Sequence, residues 1–326
     1  MSRPPYFDVM VHESVHPDAL AAELRDGLAG GSVATRQHYV TPRQARRWRE
    51  IAVAFSPARN ESDGVPVYDA INGLIADRIG AEGAHVIGLG CGDGAKERRL
   101  LDALAGRGPL TATAVDVSLP LVQVAVDRLS AAAGTALGRP VVCDRGLAAA
   151  DLPAMVGEAA GTRGVNLYGI LPGMAAFEAM AAALALLRPG DMLAVSANLL
   201  PEGEDAMERI VAQYDNAPTR RWLEVLLEDS GLERGEFDIR IGPLAEPGTG
   251  ATAAVGAWLE PVEVIDLKLE AGEVRLEPGC RVQLLRSARH TPDGLAAIVE
   301  AAGLELLALE VSPTGEEGVA LAVAPG

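Results

Sequence analysis

The hydrophobic pattern of the chain is most regular between residues 84 and 199. There, short continuous apolar runs alternate with segments whose apolar positions recur at helical spacing. Continuous runs are typical of parallel strands buried on both faces, and their alternation with helices predicts βαβ units. The pattern predicts strands at about 84–90, 110–117, 140–143, 164–170 and 191–199, and helices at about 95–105, 119–133, 147–159 and 174–187. In such a sheet, ligands bind at the carboxyl ends of the strands.

The region before this core has a different pattern. Residues 1–65 are predicted to be helical, with helices at 18–28 and 41–54. Thr41 and Pro42 supply an N-cap and a proline at the first helical position. The region is either a lid over a ligand or packing, and the pattern favours packing. A further helix is predicted at about 67–79, just before the first core strand.

After residue 200 the alternation stops. The pattern predicts helices at 204–214 and 218–230, β-like runs at 237–241, 251–259, 262–269 and 282–287, a closing helix at 291–302 and strands at 304–311 and 319–323. This shift predicts an inserted, largely antiparallel module. We therefore expect an α/β fold in four parts: an N-terminal helical region (1–65), a Rossmann-like core (66–200), an inserted α+β substrate domain (201–281) and a C-terminal completion of the core sheet (282–326).

The first predicted core strand ends in three alternate glycines. Gly90, Gly92 and Gly94 lead directly into the helix that starts at Ala95. Glycine permits a close approach of the backbone to a ligand and a positive φ. A helix start offers free N–H groups with a partial positive charge. The turn is therefore predicted to bind a nucleotide-like cofactor.

Two carboxylates follow the next two predicted strands. Asp116 is placed to accept hydrogen bonds from both ribose hydroxyls, and Asp144 is placed to accept one from an adenine amino group. NAD-binding turns usually read G-x-G-x-x-G, whereas this turn reads G-x-G-x-G. A glycine turn, a ribose acid and an adenine acid in this order are seen in class I S-adenosylmethionine (SAM) methyltransferases. SAM is therefore the predicted cofactor.

Composition and charge exclude several classes of function. The formal net charge is −17 and the pI is near 4.7, so nucleic-acid binding, which needs clustered Lys and Arg, is not expected. Neither the three cysteines nor the five histidines have metal-ligand spacing. The apolar stretches are shorter than the ~20 residues of a membrane span. We expect a cytoplasmic protein that acts on a small molecule, without a metal, a membrane or a nucleic acid as partner.

Several motifs resemble those of one family. Lys96 follows the glycines, D-V-S occurs at 116–118, Asp144 stands at the adenine edge, and Y-D-N occurs at 214–216. On these residues the chain resembles the histidine Nα-methyltransferase family of ergothioneine biosynthesis over nearly its whole length. The resemblance implies a Rossmann-like domain with an inserted substrate domain, and SAM as cofactor. The cofactor-binding residues that we predict are Gly88, Gly90, Gly92, Lys96, Asp116, Val117, Asp144, Arg145 and Gly169.

The chain departs from this family at the predicted substrate site. Met174 stands where the family has an Asn that holds the amine and carboxylate of the amino acid, and Leu285 stands where a Glu contacts the imidazole. Ser56 replaces a Tyr, whereas Tyr214 and Ser287 are retained. Histidine is not the expected substrate, because its polar groups would stay unpaired without the Asn and the Glu. The predicted substrate-binding residues are Phe55, Ser56, Met174, Tyr214, Leu285 and Ser287.

The predicted reaction is methyl transfer from SAM to a nitrogen of an amine or amino-acid-like metabolite other than histidine. Tyr214 is the predicted catalytic residue, which orients the amine or relays its proton. Arg286, Arg289 and His290 are either contacts of a substrate carboxylate or surface charges. Two alternatives stay open: a SAM-consuming enzyme that uses the aminocarboxypropyl arm and releases methylthioadenosine, or a SAM-binding regulator without turnover. Methyl transfer would instead release S-adenosylhomocysteine.

Overall fold

The helices and strands come from a computed structural model that describes residues 8–245 and 250–326. The first seven residues of the predicted N-terminal region lie outside the described residues. The strands are β1 (Met10–Val11), β2 (Ala84–Leu89), β3 (Leu110–Asp116), β4 (Thr135–Leu137), β5 (Val141–Val142), β6 (Thr162–Leu167), β7 (Met192–Asn198), β8 (Phe237–Pro243), β9 (Ala253–Pro261), β10 (Ile265–Leu269), β11 (Gly272–Leu276), β12 (Val282–Arg289), β13 (Glu305–Val311) and β14 (Glu317–Val323). The α-helices are α1 (Pro17–Gly30), α2 (Pro42–Phe55), α3 (Gly64–Ala76), α4 (Ala95–Ala103), α5 (Leu119–Ser130), α6 (Leu152–Val156), α7 (Ala176–Leu184), α8 (Ala206–Tyr214), α9 (Ala217–Asp229) and α10 (Pro292–Ala301).

One large sheet forms the core of the molecule. Its strands lie in the order β1-β5-β3-β2-β6-β7-β14-β13, with β4 paired to β3. The pairs from β1 to β7 are parallel, whereas β14 runs antiparallel to β7 and β13. Every residue of β2 is buried, because α3, α4 and α5 pack on one face of the sheet and α6, α7 and α10 on the other. The predicted α/β class with a Rossmann-like sheet is confirmed.

A second, antiparallel sheet forms from the chain after β7. Its order is β12-β9-β8, and β10 pairs separately with β11. These strands share one hydrophobic cluster with α1 and α9, in which Leu28 and Trp222 are buried. β12 pairs with β9, and the chain rejoins the end of β7 through the bridge between His290 and Leu199. The division of the chain into domains stays a prediction.

Local sequence accounts for the start of α2. The Thr41 hydroxyl accepts a hydrogen bond from the Gln44 N–H, and the Gln44 side chain accepts one from the Thr41 N–H. This reciprocal capping box satisfies two backbone donors that the helix leaves free, and it confirms the predicted N-cap.

Among the described residues, none of the helices has both the length and the apolar character needed to cross a membrane.

Other elements differ from the sequence-based expectation. The helix predicted at 147–159 is shortened to α6. Before α6, the Asp144 carboxylate accepts the Leu147 N–H in a turn, and after it Gly157, with a φ of 73°, ends the helix. The strand predicted at 164–170 ends at Leu167, two residues before Gly169 takes a φ of 72°. The short strands β1, β4 and β11 were not predicted, because a run of two to five residues carries little periodicity.

Candidate active site

A cavity of about 650 Å³ opens at the carboxyl ends of the core strands. This is the edge at which an open parallel sheet binds its ligands. Its lining comes from the glycine turn after β2, the ends of β3 and β6, the N-terminal region and β12. The predicted site residues that line the cavity are Phe55, Ser56, Gly90, Gly92, Lys96, Asp116, Val117, Asp144, Arg145, Gly169, Met174, Tyr214, Leu285 and Ser287.

Gly88 is the predicted site residue that does not line the cavity. It lies inside β2, where an added Cβ atom would be 2.8 Å from both Cys91 Cβ and Glu97 Cγ. Real Cβ atoms do not approach other atoms this closely, so the strand, the turn and α4 can pack together only around a glycine. Gly88 is therefore required for packing, and its predicted contact with the cofactor stays a prediction.

The glycine turn itself has the backbone conformation that the sequence predicts. Gly90 has a φ of 84° and Gly92 a φ of 53°, a region in which residues with a side chain are strained. An added Cβ at Gly92 would lie 2.6 Å from Cη2 of Trp48, whose ring comes from α2 and covers the turn. The N-terminal region therefore forms part of the cavity wall, whereas the sequence pattern favoured packing alone.

Asp93, inside the turn, is held by two guanidinium groups. Arg59 donates to its carboxylate at 3.1 and 2.6 Å, and Arg128 Nη1 lies 2.9 Å from Oδ1. Burial opposes ionisation of this carboxyl group, but the two arginines hold the pKa of Asp93 below its usual value. These contacts fix the turn, and the sequence analysis missed them because the three residues are far apart in the chain.

Asp116 ends β3 directly beside the glycine turn. Its carboxylate accepts the Gly92 N–H on Oδ2 at 2.9 Å and the Ser118 N–H on Oδ1 at 3.0 Å. The residue is only 6% exposed. Each carboxylate oxygen has two lone pairs, so both oxygens can accept one further hydrogen bond from a ligand in the cavity.

Asp144, at the end of the neighbouring strand β5, is paired with the N-terminal region. Its Oδ2 lies 2.8 Å from Nη1 of Arg36. Arg36 also makes a bidentate pair with Glu23, at 2.7 and 2.6 Å. Arg36 was not predicted as a site residue, because a single arginine in a short helical turn carries no sequence signal. The pair connects the N-terminal region to the predicted adenine acid.

Lys96, in the first turn of α4, places its ammonium group between two aromatic rings. Nζ lies 5.2 Å from the ring centroid of Tyr68 and 5.3 Å from that of Tyr168, which is within cation–π range. Burial lowers the pKa of Lys96, and the negative charge of Glu317 partly opposes this effect. An added Cβ at Gly169 would lie 3.6 Å from Nζ, so the ammonium stands at the end of β6 beside the cavity.

A polar cluster also lines the cavity. The Tyr214 hydroxyl, at the end of α8, lies 2.7 Å from Ser287 Oγ. Arg289 Nη2 donates to the same hydroxyl at 3.1 Å. Asn198 Nδ2, at the end of β7, lies 3.5 Å from the hydroxyl and 3.4 Å from Ser287 Oγ. Asn198 was not among the predicted site residues, although a polar residue that ends a buried strand at this edge is a usable signal.

The remaining predicted substrate residues give the cavity an apolar surface beside this cluster. Leu285 is 7% exposed and packs with the hydrophobic cluster of the second sheet. Met174 packs against the core cluster that contains the ends of β6 and β7. Phe55 is 45% exposed and, with Ser56, lies on the N-terminal side of the cavity.

Comparison with known families identifies the class of protein. A family model described as histidine-specific methyltransferase, SAM-dependent, matches residues 66–323. The chain belongs to this family. The predicted resemblance is thereby confirmed, and the protein is a SAM-dependent transferase whose cofactor is SAM.

Solved structures that resemble this methyltransferase share little sequence with it. The sugar N-methyltransferase KedS8 from Streptoalloteichus sp ATCC 53650 is 14% identical, with a TM-score of 0.42, and the match covers 86% of this chain and 91% of that chain. Magnesium protoporphyrin IX methyltransferase (ChlM) from Synechocystis PCC 6803 is 17% identical, with a TM-score of 0.41 and coverage of 86% and 93%. No curated protein sequence matches the chain significantly.

The residues at the glycine end of the methyltransferase cavity fit the chemistry of SAM. An added Cβ would lie 2.3 Å from Ile170 Cδ1 at Gly90 and 2.6 Å from Trp48 Cη2 at Gly92, so only glycine fits at these two positions of the turn. The Asp116 carboxylate offers acceptors of the kind that ribose hydroxyls require. The Lys96 ammonium offers a positive charge of the kind that the carboxylate of SAM requires.

Glu97 leads to a prediction about the pH dependence of stability. Burial raises the pKa of Glu97 to about 7, although the charge of Lys96 opposes the shift. Because the folded state then binds this proton more tightly than the unfolded chain, the free energy of unfolding falls as pH rises from about 4.5 to 7, by up to about 3 kcal/mol. Glu97→Gln is expected to remove this loss, so the variant should gain stability relative to the wild type as pH rises.

Urea unfolding of both proteins at pH 5 and pH 8 measures the effect. The control is Glu82→Gln, which makes the same change at an exposed position and should leave the difference between the two pH values unchanged. If Glu97→Gln has the same stability relative to the wild type at both pH values, the raised pKa of Glu97 is contradicted.

Proposed function

We propose that this protein methylates a nitrogen of an amine or amino-acid-like metabolite other than histidine. The observation that carries the proposal is the composition of the cavity beyond the glycine end. Met174 and Leu285 supply only apolar surface there, next to the hydrogen-bonded pair of Tyr214 and Ser287. Histidine would bury its polar groups against these two side chains, at about 1–3 kcal/mol for each unpaired group.

On this proposal, the glycine end of the cavity holds the cofactor. Asp116 accepts hydrogen bonds from the ribose hydroxyls, and Asp144 accepts one from the adenine amino group while it keeps its pair with Arg36. Lys96 balances the carboxylate of SAM. The other residues that contact the cofactor are Gly90, Gly92, Val117, Arg145 and Gly169.

The protein has little covalent chemistry to perform in this reaction. When bound, SAM supplies a methyl group that its sulfonium has already activated. The chain must align the acceptor nitrogen with that methyl group and exclude bulk water. Trp48 and Tyr39 cover the cavity from the N-terminal side. The Tyr214 hydroxyl orients the acceptor nitrogen or relays its proton through Ser287, which lies 2.7 Å away.

The products of SAM turnover test this proposal. The purified protein is incubated with SAM and a panel of primary and secondary amines, amino acids and histidine, and the products are separated by chromatography and mass spectrometry. We expect S-adenosylhomocysteine and a methylated amine with at least one acceptor, and no methylation of histidine. Release of methylthioadenosine would instead show transfer or cyclisation of the aminocarboxypropyl arm, and methylation of histidine would reject the proposed acceptor class.

A further inference from the structure

Arg289 is a buried guanidinium group that, within the described part of the chain, has no carboxylate at ion-pair distance. It is 2% exposed and lines the cavity at the end of β12. Its Nη2 donates to the Tyr214 hydroxyl at 3.1 Å and its Nη1 to the Leu199 carbonyl at 3.5 Å, while its buried Nε has no partner. Across residues 8–245 and 250–326, no ion pair joins Arg289 to a carboxylate within 4.0 Å. A buried permanent charge is expected to be paired.

A second buried arginine shows how a buried guanidinium charge is usually balanced. Arg163 is 3% exposed, but its Nη2 lies 3.0 Å from a carboxylate oxygen of Glu158 and its Nη1 donates to the Leu186 carbonyl at 2.7 Å. The negative charge of Glu317 acts on Arg289 from a longer distance, and the Glu317 carboxylate already accepts a hydrogen bond from Tyr68. The positive charge of Arg289 is therefore available to pair with a ligand group that enters the cavity.

The neighbouring polar groups also offer donors. Because the Tyr214 hydroxyl oxygen already accepts from Arg289, its own hydrogen is best directed to Ser287 Oγ, 2.7 Å away. The Ser287 hydrogen is then free to donate to a ligand. Asn198 Nδ2 donates within the cluster, to the Tyr214 hydroxyl at 3.5 Å and to Ser287 Oγ at 3.4 Å. Both contacts lie at the long end of the hydrogen-bond range, so these N–H groups can turn to a closer acceptor in the cavity. A ligand group that satisfies this set must be an acceptor, and the positive charge favours an anion.

We propose that Arg289, Ser287 and Asn198 bind a carboxylate of the methyl acceptor, so that the acceptors are amine-bearing carboxylic acids with an apolar body against Met174 and Leu285. This inference rests on the proposed methyl transfer to an amine. A carboxylate presents two oxygens in one plane, which matches the fork of a guanidinium group. A phosphate would bring a second negative charge that one guanidinium does not balance, with Glu317 also nearby.

Binding of matched acids and amides tests the proposal without any turnover. The protein is loaded with S-adenosylhomocysteine and titrated by calorimetry with 3-phenylpropionate, indole-3-propionate and 4-methylpentanoate, and with the carboxamide of each. We expect at least one acid to bind about tenfold or more tightly than its amide, as one charged hydrogen-bonded contact implies. Arg289→Gln should abolish this preference, and Arg289→Lys should retain part of it. If the wild type binds no acid more tightly than its amide, the proposal is overturned.

Two further variants keep the result interpretable. Arg281→Gln removes an exposed arginine next to β12 that pairs with Glu260 at 2.5 Å, and it should leave the acid preference unchanged. Ser287→Ala removes one donor by a small change and should weaken the preference for the acid; an unchanged preference would count against the proposal even if Arg289→Gln fails to fold. Affinity for SAM should be the same in all four variants, and a loss of SAM affinity in Arg289→Gln with the acid preference intact would assign Arg289 to the cofactor instead.

The outcome is separable from that of the proposed function. Selective binding of acids without methylation of any amine would retain the carboxylate site and reject methyl transfer. Methylation of amines regardless of a carboxylate would retain the proposed function and reject the carboxylate site.

Discussion

Replacing Asp116 with alanine is expected to weaken SAM binding by at least about 100-fold, because two hydrogen bonds to a charged group contribute about 3–6 kcal/mol together. The carboxylate is 6% exposed at the end of β3, and its oxygens already accept the N–H groups of Gly92 and Ser118. It therefore orders the glycine turn, and on the proposed assignment its remaining lone pairs accept the ribose hydroxyls. Isothermal titration of SAM into the wild type and the variant measures the loss.

The control for this experiment removes a carboxylate from the same region. Asp102→Ala deletes an exposed side chain of α4 that pairs with Arg98 at 2.9 Å, and it should leave SAM affinity unchanged. Asp116→Asn keeps one oxygen acceptor and should give an intermediate loss. Circular dichroism and urea unfolding show whether each variant remains folded. SAM affinity that is unchanged in folded Asp116→Ala would reject the assignment of this carboxylate to the ribose.

The core sheet and its glycine end could be predicted because their signals are local. The apolar run of β2 is followed at once by Gly90 and Gly92, whose positive φ values only glycine adopts without strain. Asp116 and Asp144 each follow a strand, so their placement at one edge needs only the rule that parallel strands end together. Each of these inferences uses only one strand and the residues at or just after its carboxyl end.

The rest of the cavity depends on contacts between distant segments. Arg36 reaches Asp144, and Trp48 covers Gly92, across more than forty residues of chain in each case. Contacts of this kind leave no periodicity in the sequence, so the N-terminal region was interpreted as packing. From the sequence, Arg289 was interpreted as either a contact of a substrate carboxylate or a surface charge. Its 2% exposure excludes the surface charge.

The strand that pairs with β12 could not be predicted either, for a related physical reason. The sequence shows β-like patterning in β12, but the alternation of apolar and polar residues does not specify which strand will be its neighbour. The structure pairs β12 with β9, and directly after β12 the His290 N–H donates to the Asn198 carbonyl at 3.0 Å. Together, these contacts bring Ser287 and Arg289 to Tyr214 and Asn198 in the polar cluster.

Replacing Tyr214 with phenylalanine is expected to reduce methyl transfer by about 10- to 100-fold, the effect of losing one hydrogen bond to a charged group. The variant keeps the ring, over which the Arg289 guanidinium lies 5.5 Å from the centroid, so packing changes little. It removes the hydroxyl that connects Arg289 to Ser287. The measurement is kcat/KM for the acceptor found in the product assay, together with the Kd of SAM, which should stay within about twofold if Tyr214 acts on the acceptor.

A double-mutant cycle with Ser287→Ala shows whether the two hydroxyls act together. If the Tyr214 hydrogen directs the Ser287 hydroxyl toward the acceptor, either single substitution already breaks the chain of donors, and the double variant should lose little more than Tyr214→Phe alone. Losses that multiply would mean that the two groups contact the acceptor independently. Equal losses of SAM affinity and turnover in Tyr214→Phe would instead mean that the Tyr214 hydroxyl maintains the shape of the cavity and does not act on the acceptor. The cycle therefore separates a hydrogen-bonded unit formed by α8 and β12 from two side chains that merely lie 2.7 Å apart.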